Sequence, residues 1–182
     1  MIIRAIEVII NMIMTKYDSK NVSQKKIFIS HSSNDKAIVQ LFVDDILQLG
    51  IGLKPEQIFC TSIEDMGIKN GEDIRNHIHN NIKNADYSFL LISDNYKSSE
   101  ICLNEMGAVW AYNNNVKLYL LPNTSFDSIG WLCNTRIAEK IEQPNCLRLF
   151  TRTIATILFF TNSSITSWSR QREKFRQDIK LI

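Results

Sequence analysis

The sequence predicts a single α/β domain, a parallel β-sheet covered by helices on both faces. Three observations carry that expectation. Short apolar runs, of which Ala85-Asp-Tyr-Ser-Phe-Leu-Leu-Ile-Ser93 is the clearest, recur along the chain and read as buried strands. Between them lie segments whose apolar residues repeat at three- and four-residue steps, the period of an amphipathic helix. At 182 residues the chain has room for one full core and none for a second catalytic domain.

Taken in order, residues 1–25 stand apart as an N-terminal extension. Met1 to Met14 is apolar but broken by Arg4, Glu7 and Asn11, whose spacing fits a short amphipathic helix, and a polar stretch from Lys16 to Lys25 follows. This opening lacks the clean apolar run of a signal peptide and is too short to span a bilayer. Docking on the domain, self-association and an over-called start codon all stay open as its explanation.

The strand and helix alternation occupies residues 26–160. Lys26-Ile-Phe-Ile-Ser30 is the first strand, and Ser32 to Asp35 supply N-cap residues for a helix presenting Ile38, Leu41, Phe42, Ile46 and Leu49, ended by Gly50 and Gly52. Gln57 to Thr61 form a second strand, and a loop with Gly67 and Gly71 leads into a helix over 72–83. Ala85 to Ser93 is the central strand, followed by a helix over 98–111 and a fourth strand from Val116 to Leu121, stopped by Pro122. A short helix near 126–132, a fifth strand near 136–140 and helices near 145–160 and 166–181 complete the reading, with 161–182 packed on or extending the domain.

Composition narrows the function classes. Apolar residues at 45%, charged residues at 22% and a net charge of +2 are ordinary for a soluble domain and create no strong field, so neither nucleic acid nor membrane is the expected partner. Cys60, Cys102, Cys133 and Cys146 form no C-x-x-C pair, which fits reduced thiols and a cytoplasmic protein. His77 and His79, two residues apart on a helix, face different ways and make a poor metal pair, so no metal is expected. There is no phosphate-cradling G-x-x-x-x-G-K-[ST], and Gly50 and Gly52 follow a helix where a dinucleotide fingerprint follows a strand. The cations between Trp168 and Lys180 are interleaved with Glu173 and Asp178, as on a solvated helix face.

In a parallel sheet of this kind, ligands bind beyond the carboxyl ends of the strands where strand order reverses. Chemistry is therefore expected in His31 to Asp35, Thr61 to Gly71 and Ser93 to Glu105. Glu105 is the most informative of these residues. It lies four residues after Ile101, three after Cys102 and four before Val109, which puts a carboxylate on an apolar helix face. A carboxylate there must be paired, open onto a cleft, or do chemistry, because burying it alone is costly.

Three motifs in order, Ile27-Phe-Ile-Ser-His-Ser-Ser-Asn-Asp35, Ile58-Phe-Cys-Thr-Ser62 with its Gly67/Gly71 loop, and Ser99-Glu-Ile-Cys-Leu-Asn-Glu105, resemble bacterial Toll/interleukin-1 receptor (TIR) domains. The resemblance covers residues 26–141. It implies a flavodoxin-like three-layer sandwich with a five-stranded parallel sheet of order 2-1-3-4-5. Many members of that family use one helix glutamate to cleave the nicotinamide-ribose bond of NAD, which makes NAD a substrate and implies no separate cofactor. Carried onto this chain, the resemblance implies Glu105 as the catalytic residue, with substrate contacts from His31, Ser32, Ser33, Thr61, Ser62, Lys69, Ser99, Ile101 and Cys102.

Two departures from the family pattern matter. Ile101 stands where a tryptophan often precedes the cysteine, which removes an aromatic platform, and no arginine lies near Ser32-Ser33-Asn34. Pyrophosphate contacts must then come from backbone N–H groups, hydroxyls, Lys69 or a neighbouring subunit. The family also implies self-association through the Gly67–Gly71 loop. A stand-alone chain of this type resembles the sensor half of Thoeris-like antiphage systems, in which an NAD glycohydrolase or cyclase makes ADP-ribose or a cyclic isomer that signals to a separate effector protein. The alternative is a non-enzymatic interaction module, as in animal TIR adaptors.

Overall fold

The computed structural model describes residues 26–63, 66–67, 73–112, 115–129, 138–147 and 165–182. The N-terminal extension, Lys69, Gly71, Cys133 and most of the helix expected near 145–160 lie outside them. Five strands form one sheet: β1 (Ile27–Ser30), β2 (Ile58–Cys60), β3 (Tyr87–Ile92), β4 (Asn115–Leu120) and β5 (Ala138–Lys140). Every pairing is parallel and the order is β2-β1-β3-β4-β5, the flavodoxin-like arrangement. The helices are α1 (Lys36–Leu41), α2 (Ile74–Asn84), α3 (Asp94–Lys97), α4 (Glu100–Ala111) and α5 (Ile165–Asp178).

Alternation along the strands divides the core into two layers. Ile27, Ile29, Phe89, Leu91, Tyr119 and Leu121 face one side, where they meet α1, the segment after it, and α5. Phe28, Leu90, Ile92, Leu118 and Leu120 face the other, against Ile82 of α2 and Cys102, Met106 and Val109 of α4. Phe42 is the hub of the first layer, with its ring 6.1 to 6.3 Å from those of Phe89, Tyr119 and Phe175.

One element differs from the sequence expectation. The helix after β1 opens as a 3-10 turn (Ser33–Asp35), continues as α1, and then widens into a π-helix over Phe42–Ile51. The wider turn keeps Phe42, Val43, Ile46, Leu47 and Ile51 buried but rotates Leu49 out of the expected apolar stripe, to 58% exposure. Gly52, at φ 86°, forms the left-handed stop, and its N–H bonds back to the Gln48 carbonyl. Gly50 lies inside the last turn, where a Cβ would come within 2.9 Å of both the Asp45 carbonyl and the Trp168 ring. It is the place where α5 crosses the π segment. Lys174 of α5 ties the same crossing to the buried Asp45 carboxylate at 2.8 Å.

Candidate active site

β2 is added on one side of β1 and β3 on the other, so strand order reverses at β1 and the crevice at the carboxyl ends of β1 and β3 is the switch point of the fold. Side chains converge there from four elements. β1 delivers Ser30 and then His31, β2 delivers Cys60 and then Ser62, the β3 exit delivers Ser93, and α4 delivers Cys102 and Glu105.

Local capping fixes α4 in register. Ser99 is its N-cap, with an extended backbone and a hydroxyl that accepts from the Cys102 N–H at 3.4 Å. The helix then places Cys102, Glu105, Met106 and Val109 on its buried face. At about 100° per residue Glu105 sits at the margin of that face and Ile101 just beyond it. Ile101 is accordingly 65% exposed, so the apolar face expected to include it starts at Cys102.

Glu105 is 8% exposed and takes a hydrogen bond from the Ser30 hydroxyl at 2.5 Å. Burial pushes its carboxyl up to about 7, partly opposed by the Ser30 donor. Tyr96, fully buried in α3, sets its hydroxyl 2.9 Å from Ser30 Oγ and donates to the Cys102 carbonyl at 3.0 Å. Ser93 caps α3 by accepting from the Tyr96 N–H at 3.0 Å, which places that ring.

His31 is 6% exposed; its Nε2 lies 2.5 Å from Ser62 Oγ and its Nδ1 3.8 Å from the Cys60 sulfur. Burial lowers its pKa, against the raising influence of the Ile29 carbonyl and the Asp35 charge, so it stays neutral at neutral pH. Burial also holds the Cys60 thiol up at about 12 and raises that of Cys102, whose S–H donates to the His31 carbonyl at 3.4 Å. Both sulfurs are therefore thiols at neutral pH and neither is an activated nucleophile.

Asp35 braces the two loops beside the crevice. It accepts from Ser93 Oγ at 2.5 Å and from Asn95 Nδ2 at 2.7 Å, linking the β1 exit to the β3 exit.

Of the residues singled out in the sequence, the structure brings together His31, Ser62, Cys102 and Glu105. Ser32 is buried as the cap of the 3-10 turn, its hydroxyl 3.4 Å from the Asn34 N–H, while Ser33 and Asn34 are exposed beside it. Ser99 is half-buried in its capping role and Thr61 is exposed at the rim. Sequence reasoning passed over Ser30 and Tyr96 altogether. The available signal for Ser30 was a hydroxyl closing an otherwise apolar strand; for Tyr96 there was none, since Asp94-Asn-Tyr-Lys97 reads as a polar turn.

A cavity of about 550 Å³ lies elsewhere, between β2 and α2, lined by Lys26, Gln57, Phe59, His77, Asn80 and Asn84 among others. None of the residues around Glu105 lines it.

A family model described as TIR domain matches residues 27–125. Uncharacterized protein YddK of Bacillus subtilis (strain 168) is 35% identical over 163 residues, covering 90% of this chain and 60% of YddK. The chain thus spans less than two thirds of that relative's length. The crystal structure of the TIR domain of the Toll-related Receptor TRR-2 from Hydra magnipapillata superposes with a TM-score of 0.54 at 14% identity, over 70% of this chain and 96% of that domain. At that identity the likeness is one of fold.

Proposed function

The chain belongs to the TIR domain family, and from that premise we propose that it cleaves the nicotinamide-ribose bond of NAD, with Glu105 as the catalytic residue. The observation that carries this reading is a buried carboxylate at the switch point of the sheet, held near a pKa of about 7 with Ser30 as its donor. Desolvating a carboxylate to that degree is costly in a merely structural role and useful in a site that must stabilise positive charge.

The bond chemistry suits a lone carboxylate. Breaking a glycosidic bond builds oxocarbenium character on the ribose, and ordinary glycosidases add a second carboxyl group to protonate the leaving group. Nicotinamide leaves from a cationic pyridinium as a neutral molecule, so no such acid is needed. Glu105 would hold the ribose hydroxyls and stabilise the developing charge. Attack at the ribose carbon by water gives ADP-ribose; attack by an atom of the same nucleotide gives a cyclic isomer. Substrate contacts are assigned to His31 and Ser62 at the crevice and to Thr61 and Ser33 at its rim. Ile101 is assigned a contact from the first turn of α4, and Lys69, outside the described residues, is assigned a phosphate contact on the family resemblance alone.

Self-association through the Gly67–Gly71 loop, which the family resemblance implies, would gate the activity. In this reading the protein works in the cytoplasm as a signalling enzyme of antiphage type, whose nucleotide product a separate effector receives. Because the TIR family also includes non-enzymatic adaptors, the second reading is an interaction module that assembles without chemistry. Nicotinamide release by the wild type and by Glu105→Gln separates the two: loss of at least a hundredfold in the variant is expected of the enzyme, and no release by an assembled wild type is expected of the module.

A further inference from the structure

We propose, building on Glu105 as the working carboxylate, that Ser30 and Tyr96 are its positioning residues: Ser30 aims a donor at Glu105 Oε2, and Tyr96 controls which way that donor points. Both are fully buried, Ser30 at the end of β1 in register with Leu90 of β3 and Tyr96 beneath the start of α4. Neither side chain reaches the surface, so the influence assigned to them passes through Glu105.

Proton counting gives the pair its logic. Three polar contacts run in line: Glu105 to Ser30 at 2.5 Å, Ser30 to Tyr96 at 2.9 Å, and Tyr96 to the Cys102 carbonyl at 3.0 Å. When Glu105 is protonated, three protons fill these three contacts in one direction, from Glu105 to Ser30 to Tyr96 to the carbonyl. When Glu105 is ionised, only two protons remain. Ser30 must then turn its hydroxyl to the carboxylate, and the single Tyr96 proton serves either Ser30 or the carbonyl.

The two hydroxyls therefore pull in opposite directions. Ser30 favours the carboxylate, because a charge-assisted donor is roughly twice as strong as a neutral one. Tyr96 favours the acid, because losing it removes two contacts from the protonated chain and one from the ionised chain. The other titratable groups around the carboxylate among the described residues are Cys60 on β2, Cys102 on α4, His31 after β1 and, behind Cys102, Asp35. Both thiols remain protonated through neutral pH, and the imidazole remains neutral.

The test follows the Glu105 carboxyl carbon by NMR against pH in protein labelled with 13C-glutamate, assigned by its loss in Glu105→Gln. Nicotinamide release from NAD is measured on the same samples. Ser30→Ala is expected to raise the Glu105 midpoint by about one pH unit and Tyr96→Phe to lower it. The acid limb of kcat should move with the midpoint in each variant while KM stays within about twofold. Midpoints that do not move, or that move the same way in both variants, overturn the proposal whatever the activities. If Ser30→Ala does not fold, the downward shift in Tyr96→Phe carries the test alone. The titration needs no turnover, so opposite shifts without nicotinamide release would uphold the positioning pair and sink the NAD reading. Release with unmoved midpoints would do the reverse.

Discussion

Glu105 is where cost and function meet at the scale of one residue. In the proposed reaction its ionised form is the one that would stabilise a developing cation, so NAD cleavage is expected to rise with pH through about 7 and level off above it. A pH profile of kcat that is flat between 5.5 and roughly 8 would contradict this. The same shift has a stability consequence of definite sign. The folded value lies above the ordinary 4.5, so the contribution of the protonated group is fully present below about 4.5 and is lost as pH rises through about 7. A shift of this size corresponds to about 3 kcal/mol. Glu105→Gln should therefore stabilise the fold by roughly 2 to 3 kcal/mol at pH 8 relative to its effect at pH 4.5, read from urea denaturation. Glu105 was legible in the sequence because helical spacing alone placed it beside Cys102 and Val109. Its partners were not, because Ser30 lies 75 residues away and Tyr96 66 residues from Ser30, and such contacts exist only once the sheet order is set.

Among the elements, the strands were legible to within a residue or two, most clearly β1, β2 and β3, whose runs are almost wholly buried. The β4 expectation ended at Leu121 and the strand ends at Leu120, for instance. The helix after β1 was legible as a helix but not as a π-helix, since nothing in Phe42-Val-Asp-Asp-Ile-Leu-Gln-Leu-Gly-Ile51 announces a wider turn. What the wider turn accomplishes is visible only against α5. It brings Gly50 under Trp168 and Asp45 within reach of Lys174. Gly50→Ala places a methyl group against the Asp45 carbonyl and the indole ring, and is expected to destabilise the fold by about 1 to 3 kcal/mol. Thermal unfolding followed by Trp fluorescence checks this, and an unchanged midpoint would mean that the crossing yields without strain. The helix expected over 98–111 is α4, begun by its Ser99 cap, and the short α3 before it, capped by Ser93, was not expected from the sequence.

At the scale of the molecule, two apolar layers hold one parallel sheet, and the switch-point crevice at its edge gathers a buried carboxylate, two neutral thiols and a neutral imidazole. Trp168, Phe175 and Ile179 of the C-terminal segment belong to the first layer, so this helix is part of the domain's core. No helix among the described residues is long and apolar enough to cross a membrane. Strand order, which periodicity does not encode, came from the motif resemblance and agrees with the observed sheet. In the proposed reading protein concentration is a variable of the chemistry, with specific activity expected to rise as chains assemble. The most direct measurement is nicotinamide release from NAD, with products identified by mass spectrometry, for wild type and Glu105→Gln across protein concentrations that span assembly. The account predicts release that grows with assembly, yields ADP-ribose or a cyclic isomer, and disappears in the variant. Release that persists in Glu105→Gln, or no release from fully assembled wild type, would contradict it.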